Sequence, residues 1–196
     1  MTPRRLVLAT ANPGKARELA ALVADWGPVE LLSLAAFPGI AVPEEGERSY
    51  AENAVMKAKV VAAATGLPAL ADDSGLEVEA LQGRLGVRSA RFAGTDAARV
   101  TKLVELLRGV PEADRRARFC CVVALVWPDG RTQTAEGECA GRIASAPSGA
   151  GGFGYDPVFV ADELGCTFAE APAEEKHRVS HRGRALRALR EQLARP

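Results

Sequence analysis

The residues best suited to chemistry stand in the stretch Ala69-Leu70-Ala71-Asp72-Asp73-Ser74-Gly75. A short apolar run there meets two adjacent carboxylates, a hydroxyl and a glycine. Neighbouring acids at the end of a buried strand repel each other unless a cation or hydrogen-bond donors compensate. Gly75 permits a sharp turn, which would aim the acids into a crevice, and strand ends are where open α/β sheets keep their ligands. The plain alternative is a solvated turn, because Asp, Ser and Gly are ordinary turn residues.

Three further groups extend this chemistry. Thr10-Ala11-Asn12-Pro13-Gly14-Lys15 joins a strand end to a helix start, where free N–H groups and a positive dipole end suit phosphate. Lys15 adds a full charge, although the G-x-x-x-x-G-K-[ST] phosphate loop is absent. Glu44 and Glu45 lie in a loop rich in Pro and Gly. Either they are solvated, or one joins Asp73 as a magnesium ligand, since magnesium takes one or two protein carboxylates with phosphates and water. Gly151-Gly152-Phe153-Gly154-Tyr155-Asp156 offers close backbone approach and an aromatic face for a base. It can equally be a glycine turn with Phe153 and Tyr155 in the core. Lys176 and Ser180-His181-Arg182-Gly183 supply donors for a ring carbonyl, or form the basic face of a helix. Taken together, these are the parts of a nucleoside triphosphate site.

Mixed elements must position them. Leu6-Val7-Leu8-Ala9-Thr10 reads as a first strand, Asn12 as an N-cap and Pro13 as a first helical residue. Leu19, Leu22, Val23 and Trp26 recur at helical spacing, and a second strand follows over residues 29–34. Ser49-Tyr50-Ala51-Glu52 is a capping-box pattern that opens a helix with Ala54, Ala58, Val61 and Ala62 on one face. Residues 83–94 are irregular and basic, and Asp96 can cap a helix with Val100, Leu103, Val104 and Leu107 inward. Residues 119–127 are continuously apolar, which predicts a strand buried on both faces. Pro128-Asp129-Gly130 turns it back into residues 131–138, so the sheet cannot be wholly parallel. A strand over 158–160 and a last helix from Ser180 or His181 complete an α/β order.

Bulk properties narrow the field. At 196 residues the chain suits one domain, residues 1–196, without a linker. Lys and Arg number 25, as do Asp and Glu, so no global field points to nucleic acid or a membrane surface. Cys120, Cys121, Cys139 and Cys166 lack zinc spacing and fit reduced thiols of a cytoplasmic protein. The apolar run at the start is too short for a signal peptide or a membrane span.

Five stretches occur in order: Thr10 to Lys15 as quoted, Ala71-Asp72-Asp73-Ser74-Gly75-Leu76, Ser89-Ala90-Arg91-Phe92-Ala93-Gly94, Gly151-Gly152-Phe153-Gly154-Tyr155-Asp156-Pro157, and Ser180-His181-Arg182-Gly183. In these the chain resembles the Ham1-like family of non-canonical purine nucleoside triphosphate pyrophosphatases, over almost its whole length. The resemblance implies an elongated mixed β-sheet flanked by helices, with two lobes and an active-site cleft between them, in a homodimer. It implies hydrolysis of ITP, dITP and XTP to the monophosphate and pyrophosphate with Mg2+. By motif position, Asp73 would be catalytic base and metal ligand, with Glu44 as second ligand and Glu45 the alternative. Thr10, Ala11, Asn12, Pro13, Gly14 and Lys15 would hold phosphates, and Ser74 would touch substrate. Phe153, Gly154, Tyr155, Asp156 and Lys176 would hold base and sugar, and His181 and Arg182 would read the base. The competing readings are a Maf-type pyrophosphatase for pyrimidine or modified nucleotides, and a non-catalytic nucleotide-binding module.

Overall fold

A computed structural model describes residues 3–195. Its six-stranded sheet has the order β2-β1-β3-β4-β5-β6. The strands are β1 (Arg5–Leu8), β2 (Glu30–Ser33), β3 (Ala69–Val78), β4 (Arg116–Val126), β5 (Thr132–Ile143) and β6 (Phe159–Ala161). β1 pairs in parallel with β2 and β3, and β5 runs antiparallel to β6, so the sheet is mixed, as expected. The helices are α1 (Pro13–Val23), α2 (Tyr50–Thr65), α3 (Asp96–Leu106), α4 (Ala173–Val179) and α5 (His181–Ala194).

The chain divides into two compact units. One comprises the chain through Asp73, residues 121–137 and the chain from Arg182 on; the other comprises residues 74–120 and 138–181. In the first, strand alternation sorts side chains onto two faces. Leu6, Leu8, Cys121, Val123 and Leu125 meet Leu19 and Val23 of α1 and Leu186, Leu189 and Leu193 of α5. Val7, Ala9, Val122, Ala124 and Val126 meet Ala54, Ala58, Val61 and Ala62 of α2. Covered on both sides, β4 is buried at every position from Cys121 to Val126, whereas its earlier part alternates. The second unit has its own core, in which Leu76, Phe119, Ile143, Phe159 and Phe168 meet Val100, Leu103 and Leu107 of α3.

Local signals account for the helix starts. Asn12 caps α1, its Oδ1 accepting from Gly14 N at 2.9 Å and Lys15 N at 3.1 Å. Ser49 caps α2, accepting from Glu52 N at 3.1 Å. Two expectations need correction. The cap of α3 is Thr95, which accepts from Ala98 N at 3.1 Å; Asp96 is the first helical residue and its carboxylate is used elsewhere. The acidic stretch is not a strand end, for β3 continues from Ala69 through Asp72, Asp73, Ser74 and Gly75 to Val78. None of the four cysteines is in a disulfide, and no helix among the described residues is long and apolar enough to cross a membrane.

Candidate active site

Because β3 runs straight through the acid pair, Asp72 and Asp73 point to opposite faces and gather separate partners. Asp73 is buried, and its Oδ2 accepts from Asn53 Nδ2 at 2.8 Å. Asn53 also grips the acidic loop: its Oδ1 accepts from Gly46 N at 2.7 Å and its Nδ2 donates to Gly46 O at 3.1 Å. That grip brings Glu45 in. Lys57 Nζ lies 2.5 Å from Glu45 Oε1 and 3.8 Å from Asp73 Oδ1, and donates to the Asp72 carbonyl at 2.7 Å. Burial pushes the Asp73 carboxyl up and the Glu45 charge adds to it, against Lys57, Lys15 and Asn53; the outcome is about 6. For Glu45, burial is outweighed by the charge and hydrogen bond of Lys57, which hold it below the usual carboxylate range.

Asp72 is 1 % exposed and fully ionic in its company. Arg182 donates to its Oδ2 from Nε at 3.1 Å and Nη2 at 2.9 Å, and Lys15 Nζ lies 3.3 Å away. Burial works against the charged form, but Lys15 and Arg182 hold this carboxyl far below its ordinary value. The third guanidinium nitrogen, Nη1, donates to Glu18 Oε2. Arg182, which the resemblance assigns to the purine ring, is here held by acids of its own chain. Each of its nitrogens is engaged by a carboxylate, buried Asp72 or partly buried Glu18, so in this structure it anchors Asp72. At the start of α1 the amides have partners within the chain. Pro13 has no N–H, the Gly14 and Lys15 amides serve Asn12 Oδ1, and Ala16 N bonds the Asn12 carbonyl at 2.9 Å. What this segment has to offer an anion is the Lys15 ammonium rather than free helix amides. Thr10 Oγ1 accepts from Asn12 N at 3.2 Å and shapes the loop.

The second unit assembles the aromatic group. Asp156 Oδ2 accepts from Phe153 N at 2.8 Å and Lys176 Nζ at 2.6 Å. Lys176, 5 % exposed on α4, places Nζ 5.4 Å from the centroid of the Phe153 ring and 5.3 Å from that of Phe168. Asp156 is therefore a buried ion-pair partner within the turn. Gly154 N donates to Asp96 Oδ2 at 2.8 Å and Tyr155 Oη to the Ser89 carbonyl at 2.9 Å. Gly152 sits at φ +71, and a Cβ there would fall 2.0 Å from Asp156 Oδ2. His181 stacks on Phe119 with centroids 4.6 Å apart. Ser74 follows Asp73 on β3 and is partly buried.

The structure thus groups Asp73 with Glu45, groups Lys15 with Asp72 and Arg182, and groups Phe153 and Asp156 with Lys176. Of the loop pair it is Glu45 that reaches Lys57 and Asp73. Sequence reading missed Asn53, Lys57, Glu18, Ser89 and the acceptor role of Asp96. A signal for the first two existed: they sit four apart, each directly before Ala54 or Ala58 of the buried stripe, where a solvated helix face has no reason to begin. Among the described residues no three or more His, Cys, Asp and Glu side chains gather as a metal cluster. The donors at hand, Asp73 and Glu45, are two hard carboxylates, a set that fits magnesium completed by phosphate and water.

Taken together, these features define an α/β protein with a buried acid–lysine centre on its third strand and an aromatic, lysine-paired loop. The chain belongs to the Ham1 family, whose profile it matches over residues 6–192. It is 52% identical over 192 residues to the dITP/XTP pyrophosphatase of Geobacter sulfurreducens, covering 96% of each chain. It is 53% identical to that of Thermus thermophilus, covering 95% of this chain and 90% of the relative. Among solved structures it superposes on a HAM1 protein from Coxiella burnetii with TM-score 0.84 and 40% identity, covering 96% and 98% of the two chains. The Staphylococcus aureus Ham1 protein gives TM-score 0.82 and 37% identity, with 96% and 97% covered.

Proposed function

We propose that this chain hydrolyses non-canonical purine nucleoside triphosphates, of the dITP and XTP class and with ITP among them, to the monophosphate and pyrophosphate. The observation that carries the reading is Asp73: a buried carboxylate whose proton affinity is raised to about 6, set among Asn53, Lys57 and Glu45. A base tuned close to neutrality is ionised at pH 7 yet still draws a proton from water well. The activity of the relatives named above points the same way.

Asp73 is assigned the role of general base, orienting and deprotonating the attacking water. Asn53 fixes one carboxylate oxygen and Lys57 keeps Glu45 beside it, so the acid is held in place before substrate arrives. Lys15, steered by Asp72, meets the phosphate tail and steadies the departing pyrophosphate. Phe153 takes the base on its face, Asp156 and Lys176 hold the loop that presents it, Ser74 touches substrate, and His181 donates to the six-position carbonyl. Magnesium would be held by Asp73 and Glu45; bound there, it supplies positive charge against the triphosphate and polarises the phosphorus. By the same reading the working form is a homodimer of single-domain chains in the cytoplasm, acting on free nucleotides.

A panel of dITP, XTP, ITP, GTP and ATP with magnesium, scored for pyrophosphate against orthophosphate, tests this. Pyrophosphate from the first three, well above that from GTP and ATP, is expected. Orthophosphate as product, or equal rates across the panel, overturns the reading. Asp73→Asn should lose about 10²-fold or more in turnover.

A further inference from the structure

The segment Ser89-Ala90-Arg91-Phe92-Ala93-Gly94 has no chemistry of its own in the proposed reaction, yet it and the start of α3 are fastened to the loop at 153–156. Ser89 Oγ accepts from Leu76 N at 2.9 Å, which ties the segment to β3, and the Ser89 carbonyl accepts from Tyr155 Oη at 2.9 Å. α3 fixes the segment from its other side. Arg99 Nε donates to the Ala93 carbonyl at 3.1 Å and Lys102 Nζ to the Phe92 carbonyl at 2.9 Å. The first residue of the helix, Asp96, is freed from capping by Thr95. Its Oδ1 pairs with Arg99 Nη1 at 2.6 Å and its Oδ2 accepts the Gly154 amide at 2.8 Å. Gly154 itself has φ +63, in the left-handed region that glycine enters without strain, so the wide freedom of this residue leaves the shape of the loop to be fixed by bonds such as this one.

We propose that Asp96 is a positioning residue for nucleotide binding, which, by accepting the Gly154 amide, holds the Phe153–Asp156 loop in the shape that receives base and sugar. The inference rests on the nucleotide reading of that loop. Asp156 and Lys176 grip the loop from within; Asp96, supported by Arg99, grips it from outside. A carboxylate acceptor bonds an amide more strongly than a neutral one, and preorganised loops lose less entropy on binding. The bond-breaking step takes place at Asp73, so loss of the grip falls on affinity.

The test compares wild type, Asp96→Ala, Asp96→Asn and Arg99→Ala by steady-state kinetics with dITP, and by hydrogen exchange at the Gly154 amide. Asp96→Ala should raise KM on the order of tenfold with kcat within about twofold. Asp96→Asn, whose amide oxygen can still accept, should recover most of that loss, and Arg99→Ala should move KM in the same direction by less. Exchange at Gly154 should quicken in Asp96→Ala. An unchanged KM, a fall in kcat alone, or unchanged exchange overturns the proposal. If Asp96→Ala does not fold, Arg99→Ala decides the matter in the same way. Should wild type release no pyrophosphate from any nucleotide, the function fails on its own, and exchange at Gly154 still judges the clamp.

Discussion

Asp73 carries opposed demands. Its carboxyl is raised to about 6 from an ordinary 3.8, chiefly by burial and then by Glu45. Between those two values the folded protein binds more protons than the unfolded chain, so this residue costs stability as pH rises through about 6. In EDTA, Asp73→Asn should therefore be more stable than wild type at pH 7.5, by about 1–3 kcal/mol, and show no gain near pH 4. Asp72 runs in the other sense, its stabilisation present above about 4 and lost at lower pH. That contribution is common to both proteins and cancels in the comparison. Thermal scans at the two pH values check this; a destabilised variant at pH 7.5 contradicts it. Arg182 makes the reverse prediction. It is 2 % exposed and bonded to Asp72 and Glu18, so Arg182→Ala takes the main partner from a buried carboxylate and leaves a partly buried one beside it. A loss of about 3–5 kcal/mol in urea unfolding is expected, and Asp72→Asn in the same background should restore part of it. If instead Arg182→Ala unfolds as wild type does and only nucleotide selectivity changes, the guanidinium reads the base after all.

The elements show what could be read in advance and what could not. Caps are local, and Asn12 and Ser49 stand where the sequence placed them. The turn at residues 128–130 is local too, and the Trp127 and Gly130 amides bond the Arg131 and Trp127 carbonyls there at 2.9 Å each. β3 was misjudged because Asp-Asp-Ser-Gly has turn chemistry. What keeps it extended lies far off in sequence, with Arg182 110 residues beyond Asp72. That Glu45 lies on Lys57 was unreadable for the same reason, since Asn53 and Lys57 of α2 set the course of that loop. The helix α4 had a readable sign, Glu174 and Glu175 in its first turn and Lys176, His177 and Arg178 in its last, which complements the helix dipole. The loop at 151–156 yields the element-scale prediction. Gly152→Ala would set a methyl against Asp156 Oδ2, whereas a Cβ at Gly154 meets nothing within 4 Å. Both positions have positive φ, so both substitutions strain the backbone, but only the first displaces the acceptor of Phe153 and Lys176. Gly152→Ala should thus weaken dITP binding on the order of tenfold more than Gly154→Ala, read by calorimetric titration of the Asp73→Asn protein; equal losses would show that strain alone matters.

At the scale of the whole molecule, the question is whether the two compact units can melt apart. The chain passes between them after Asp73, Cys120, Gly137 and His181. The first three crossings fall inside β3, β4 and β5, and the fourth falls one residue into α5. None lies in a loop. β3, β4 and β5 each lend residues to the core of one unit and continue covalently into the other, so releasing the Leu76 and Phe119 ends withdraws support from the Leu70 and Val123 ends. Unfolding should therefore be one cooperative event, with calorimetric and van't Hoff enthalpies in agreement. The sharper form uses Leu103, fully buried on α3 in the second unit. Leu103→Ala removes about 2–5 kcal/mol, and that loss should lower the single transition for the fluorescence of Trp26 and Trp127, both in the first unit, as much as for the far-ultraviolet signal. A tryptophan signal that keeps its wild-type midpoint while the rest of the molecule melts earlier would show the units to be independent, and the continuity of the three strands to be no bond between them.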